Sequence, residues 1–488
     1  MSTFRRMGPF GLMSLASTMF LAMPASIRAQ AMGLPALSDQ TRECIDCHKK
    51  KTPGIYQQWG RSKHYRGNVG CYECHAAEKS DKDSFLHYDN RIALIVSPKD
   101  CSKCHPREVK EFEGSHHAKA GRILGSLDNV LAEVVEGNKA MVTPAFPQGV
   151  SAASVNGCWQ CHGTVVKVLP GGKLDPATYP NSGIGRLNPD GSEGSCNACH
   201  TRHSFSAAQA RHPNTCGKCH LGPDHPQKEI YEESKHGIAF FAKIKDMNLD
   251  SEKWIVGEDY TAAPTCATCH MSATKNQDVT HDIGMRISWN NRPKLSVRPE
   301  VADAKMGLPG KDVPWQMRRN NMKDVCLNCH NTNWVENFYI QYDGMIDLYN
   351  NKFGKPGIEL YKLAKPLRPY QAPFSHEIDW TWFEIWHHEG RRARHGASMM
   401  GPDYTHWHGT YDLAKSFYAH FIPQLHRLAK EAKESGDPAK VEGAKKLEAK
   451  IEEVMNSKNH QWAIDKMDPE EAAKRKKARE DFKKRYGK

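Results

Sequence analysis

Sixteen cysteines stand in this 488-residue chain, and every one belongs to a Cys-x-x-Cys-His run. The eight runs are Cys44–His48, Cys71–His75, Cys101–His105, Cys158–His162, Cys196–His200, Cys216–His220, Cys266–His270 and Cys326–His330. No cysteine is left over for a disulfide framework or a lone nucleophilic thiol. Zinc ribbons pair their cysteines without needing a histidine directly after the second one. Covalent haem attachment does need it. Two cysteines three apart on a turn reach the two vinyl groups of one porphyrin, and the next histidine lies under the iron. The sequence therefore predicts eight c-type haems. They attach through Cys44, Cys47, Cys71, Cys74, Cys101, Cys104, Cys158, Cys161, Cys196, Cys199, Cys216, Cys219, Cys266, Cys269, Cys326 and Cys329. The proximal iron ligands are His48, His75, His105, His162, His200, His220, His270 and His330.

Porphyrins change what the rest of the composition means. A chain with 39% hydrophobic residues needs no large aliphatic core when haems fill its interior. The formal charge of +12 resembles that of a nucleic-acid binder. Residues 1–31 hold Arg5, Arg6 and Arg28 and no acid, and each haem adds roughly one negative charge net, so the working total comes near zero. The basic excess offsets propionates, and no nucleic-acid partner is expected.

Residues 1–31 read as an export signal: Arg5 and Arg6, an apolar stretch from Met7 to Met23, then Ala29-Gln30-Ala31 as a cleavage site. No later stretch approaches the roughly 18 apolar residues of a spanning helix. The expectation is a periplasmic protein with no transmembrane helix in the mature chain. Three regions follow: 1–31 signal peptide, 32–345 haem-binding catalytic region, 346–488 helical region with a charged tail. The fold class is mainly α, with short helices and long loops wrapped round haems up to Ser288, surface loops such as Pro170–Gly194, and little sheet. Dense aromatics between Asn331 and His426 (Trp334, Phe338, Tyr339, Tyr342, Trp380, Trp382, Phe383, Trp386) predict long packed helices. Val441, Leu447, Ile451 and Val454 recur at helical spacing after the break Gly436-Asp437-Pro438, and Lys474–Lys488 reads as a solvated basic tail.

Eighteen of the 26 histidines are not proximal ligands. An electron-transfer haem takes a second strong axial ligand, whereas a catalytic haem leaves that position open. Candidates for the distal position are His64, His87, His116 or His117, His203, His225, His236, His281 and His395; His212 and His460 read as structural.

The stretch CNACHTRHSFSAAQARHPNTCGKCHLGPDHPQKEIYEESKHG, Cys196 to Gly237, resembles the centre of the octahaem hydroxylamine oxidoreductases, as do APTCATCHM and the following THDI. The resemblance runs from about His48 to Tyr418. It implies a homotrimer of mostly helical subunits with haems arranged as an electron wire. It also implies that the fourth haem, at Cys158, Cys161 and His162, is catalytic, with Asp224 and His225 lining its open face. On that mapping His225 handles protons and seven distal candidates serve seven haems. Substrates would be small nitrogen species: nitrite, nitric oxide, hydroxylamine or hydrazine.

One departure matters. Oxidising members carry a tyrosine from a neighbouring subunit cross-linked to the catalytic haem. Aligning RHGASMMGPDYTHWHG on His395 and Trp407 puts Asp403 at that place, with Tyr404 one position on. Either Tyr404 is cross-linked through a one-residue shift, or the cross-link is absent and the enzyme leans towards nitrite or nitric oxide reduction. Hydroxylamine or hydrazine oxidation with Tyr404 cross-linked is the alternative. A pure electron-transfer cytochrome with every iron bis-histidine is the alternative from another class. No C-terminal anchor of the kind some relatives carry is expected, and the expected redox partner is a separate cytochrome or quinone-linked protein.

Overall fold

The computed structural model describes residues 36–125, 141–143, 146–150, 157–305, 307–308 and 313–487. The expected export segment lies outside them. The chain is mainly helical, and its ladders are two-stranded: Phe85–His87 on Asn90–Ile92, Met141–Thr143 on Phe146–Val150, and Val168–Leu169 on Lys173–Leu174, all antiparallel.

Up to about residue 300 the helices are short and punctuated by proline and by polar caps. Pro53, Pro98, Pro106 and Pro213 each open a helix, where the missing N–H costs nothing. Ser38, Ser62, Ser97 and Thr265 accept backbone N–H groups at helix starts. The runs Cys71–His75 and Cys266–His270 are single helical turns. Such a turn brings both sulfurs and the histidine to one side.

The loop Pro170–Gly194, expected at the surface, folds partly inward. Arg186, Asn181 and Asn188 within it are buried. The Arg186 guanidinium donates to Asn188 Oδ1 at 2.6 Å, to the Asn181 carbonyl at 3.2 Å and to the Val96 carbonyl at 3.1 Å. A charged side chain satisfied on carbonyls holds the loop where apolar residues are lacking.

From Trp315 onward long helices take over. Thr332–Leu348 continues through a π-turn, Tyr349–Gly354, into Lys355–Ala364, so the boundary expected after residue 345 falls inside one helix. Glu377–Phe383 continues through a second π-turn, Glu384–Glu389, into Gly390–Met399. Pro356 and Pro423 each follow a π-turn, where proline has removed a donor from the regular ladder. Gly390 is required by close packing: a Cβ there would stand 2.3 Å from the Tyr349 ring.

The aliphatic core sits in this half. Leu360, Ile378, Trp382, Leu413, Phe417, Phe421, Leu425, Leu447, Ile451 and Val454 form one buried cluster. The predicted face of Pro438–Asn456 is buried at Leu447, Ile451 and Val454, while Val441 lies at its edge. The basic tail is a helix, Pro469–Tyr486, that buries no residue.

Candidate functional site

An imidazole nitrogen binds a metal at about 2 Å and lies about 1.1 Å from its own ring centre, so two imidazoles on one iron stand about 6.3 Å apart, centre to centre. Six proximal histidines meet a distal candidate at that spacing. The pairs are His48 with His87 at 6.1 Å, His75 with His203 at 6.5 Å, and His105 with His64 at 6.3 Å. They continue with His200 and His281 at 6.4 Å, His220 and His117 at 6.1 Å, and His330 and His236 at 6.1 Å. These partners lie between 39 and 128 residues apart, so only the fold brings them together.

The neighbouring His116 is engaged elsewhere: its Nε2 meets Asp303 Oδ1 at 2.6 Å and its Nδ1 accepts from Arg292 at 3.2 Å. His117, then, is the member of that pair that faces His220. His395 is half-buried, near Arg391, His225 and His220, and its buried Nε2 has no hydrogen-bond partner in the protein, as a nitrogen meant for a metal would stand. His75 Nδ1 donates to the Ala93 carbonyl at 2.7 Å, which leaves Nε2 for an iron. His212 caps Pro213–Gly217, and His460 is buried against Tyr418.

Among the described residues no three or more His, Cys, Asp or Glu converge as a bare metal ion would require. The residues present fit haem and do not fit zinc. The runs also lie edge to edge. Cys44 neighbours Cys71, Cys74 neighbours Cys101, and Cys101 touches Cys196. Beyond these, Cys199 neighbours Cys216, Cys216 touches Cys266, and Cys269 neighbours Cys326. The fourth run joins this series at the sixth, where Cys161 touches Cys219.

Asp224 and His225 sit at that junction. They occupy the short loop between run six and the helix Gln227–Glu233, bracketed by Pro223 and Pro226. The loop is closed where the Lys228 N–H donates to the His220 carbonyl at 3.0 Å. His225 Nδ1 meets Asp224 Oδ1 at 2.5 Å, and Nε2 meets the Cys219 carbonyl at 2.9 Å. Both partners are oxygen acceptors, so both ring nitrogens carry protons. Burial opposes the charged ring, but the Asp224 hydrogen bond and charge outweigh it and hold the His225 pKa above its ordinary value. Burial likewise opposes the Asp224 carboxylate, and the bond to His225, with His387 and Arg391 beyond, keeps its pKa well below the usual range.

Two groups that the sequence did not single out complete the site. Arg391 donates from Nη1 to Asp224 Oδ2 at 3.1 Å and to His387 Nε2 at 3.0 Å. They come from the π-turn and the helix 163 and 167 residues away in sequence, so no local spacing announces them.

Tyr404 lies on the short helix Pro402–Thr405, its N–H donating to Glu233 at 3.3 Å. Its charged neighbours within the subunit are Glu229, Glu233, Asp403 and Arg392. Asp403 pairs with His408 at 3.3 Å. Trp407 and Tyr411 beside it are exposed.

Comparison with known proteins places this arrangement. The family model "Seven times multi-haem cytochrome CxxCH" matches residues 190–353, and "Cytochrome c554 and c-prime" matches 21–76 and 100–201. A solved "Hypothetical multiheme protein" is 28% identical with a TM-score of 0.67, over 82% of this chain and 98% of that one. A "Probable nitrite reductase-hydroxylamine oxidoreductase fusion protein" of Kuenenia stuttgartiensis is 27% identical over 338 residues. The chain is a multihaem cytochrome c, similar to this relative named for nitrite reductase and hydroxylamine oxidoreductase. That match takes in 60% of this cytochrome and 34% of the fusion protein, so the chain spans about a third of that relative. The same fold is found in the Kuenenia stuttgartiensis reducing HAO-like protein complex Kustc0457/Kustc0458, at 19% identity and a TM-score of 0.54, over 81% of this chain and 86% of that one. No helix among the described residues of this cytochrome is long and apolar enough to cross a membrane.

Proposed function

We propose that this cytochrome is a periplasmic octahaem oxidoreductase that reduces nitrite, or nitric oxide, at the haem of Cys158, Cys161 and His162, with hydroxylamine also a substrate. The observation that carries the reading is His225, proton-loaded on both nitrogens and set by Asp224 at the meeting of the fourth and sixth runs. The haems supply the binding iron and the path for electrons. The protein supplies the rest. Nitrite takes up one electron and two protons to give nitric oxide and water, or four electrons and five protons to give hydroxylamine and water, so reduction in either form needs a proton donor at hand. His225 is that donor, and Asp224 stabilises its charged form between turnovers. The electrons come from a separate cytochrome or quinone-linked partner.

The other seven haems are bis-histidine conductors, with His64, His87, His117, His203, His236, His281 and His395 as distal ligands. The working unit is a trimer, on the family resemblance, and Tyr404 is not cross-linked: Asp403 holds the place of the linking tyrosine. Steady-state assay in both directions tests the reading. Nitrite with reduced viologen should turn over at least about tenfold faster than hydroxylamine with an oxidant, a difference of roughly 1.4 kcal/mol in barrier. The reverse ratio, with a tyrosine peptide carried along in the mass of the Cys158–His162 haem peptide, would make the enzyme an oxidase of hydroxylamine.

A further inference from the structure

The reading above leaves open what distinguishes a nitrite ion from hydroxylamine, which is small, nitrogen-bearing and uncharged near neutrality. We propose that Arg391 is the residue that selects the anionic substrate at this site. The inference rests on the proposed function, because it concerns the same haem face that Asp224 and His225 line.

Arg391 begins the helix Gly390–Met399 directly after the π-turn Glu384–Glu389. The guanidinium is held from several sides. Nε donates to the Arg292 carbonyl at 2.8 Å, Nη1 donates to Asp224 and to His387, and its plane lies 5.2 Å from the Trp386 ring centre. The wider π-turn places His387 and Arg391 together against Asp224. Gly390, the residue before it, packs against the Tyr349 ring, where a Cβ would stand 2.3 Å away.

Asp224 is therefore shared: Oδ1 takes the proton donor His225 and Oδ2 takes Arg391. The carboxylate places a fixed cation within one residue's width of the group that delivers the proton. With His225 protonated, two cations face one carboxylate, and in a buried site the field of the remaining positive charge is weakly screened. Nitrite is anionic, so that charge acts on it. Hydroxylamine and nitric oxide carry no charge for that field to act on. Once His225 has given up its proton, Arg391 still balances Asp224, and no net negative charge is left to repel nitrite. Arg391 acts on affinity and on the choice of substrate; the proton transfer stays with His225.

The test is optical titration of the ferric holoenzyme with sodium nitrite and, separately, with hydroxylamine, without electron donor or acceptor. Arg391→Gln should weaken nitrite binding at least about tenfold and leave hydroxylamine within about threefold, a split that a merely structural arginine would not produce. Arg391→Lys, which keeps the charge, should hold the nitrite-to-hydroxylamine affinity ratio within about threefold of the wild type. Equal weakening of both ligands in the glutamine variant, or no change in either, overturns the proposal. If the glutamine variant loses haem, the lysine variant decides, and a tenfold fall in its affinity ratio counts against Arg391. A wild-type spectrum that responds to neither ligand removes the proposed function itself, an outcome distinct from all of these.

Discussion

Replacing Asp224 or His225 by alanine is expected to lower nitrite turnover by about 10²- to 10⁴-fold, the range lost when a positioned proton donor is removed, with every haem still attached. The two residues act as one device, so the double variant should be little worse than either single one. His225 depends on Asp224 for its charged form, because burial alone would push the imidazole towards neutrality. Asp224→Ala has a second consequence: it leaves Arg391 without its carboxylate partner beside His225. Asp224→Asn keeps the shape and loses the charge, and should fall close to the alanine variant. The measurement is viologen-driven nitrite reduction normalised to haem content. Wild-type rates in both alanine variants would remove the pair from the mechanism.

The largest effect on stability is expected far from the haems, at Asp379. This carboxylate is almost wholly buried in the helical half, where it is paired with the buried Arg368 and accepts from Tyr361 Oη at 2.7 Å. Arg368 also donates to the carbonyls of Lys365 at 3.0 Å and Ala372 at 3.2 Å, so it ties the turn after Lys355–Ala364 to the start of Glu377–Phe383. Asp379→Ala leaves the guanidinium buried without its counter-charge, and should cost about 3–5 kcal/mol. The combined change Arg368→Met with Asp379→Leu removes both charges and should cost much less. Denaturant midpoints followed by far-ultraviolet circular dichroism compare the three proteins. A double variant as unstable as the single one would show that the pair is wanted for its hydrogen bonds and not for charge balance.

How much of this was legible in the sequence differs between ligands and helpers. The eight runs carry their own spacing, and the number of irons demands a matching number of distal histidines. Simple accounting therefore picked out His64, His87, His203, His236 and His281, each of which the fold brings opposite a proximal partner. Accounting could not choose between His116 and His117, because that choice is made by Asp303 and Arg292, more than 170 residues away. The buried face Leu447, Ile451 and Val454 was legible from helical period alone.

His387 and Arg391 were not, since their role comes from a π-turn that shifts the helix register, and no residue pattern marks such a turn. The inward fold of Pro170–Gly194 was hidden for a similar reason. Proline and glycine there signal a loop, and only the contacts of Arg186 show that the loop is anchored inside.

The account depends on one iron that small nitrogen ligands can reach. The resting ferric holoenzyme should show one high-spin haem among low-spin neighbours by electron paramagnetic resonance, and that signal should shift when nitrite or hydroxylamine is added. A wholly low-spin spectrum, unmoved by either, would contradict it and leave a conductor of electrons with no chemistry of its own.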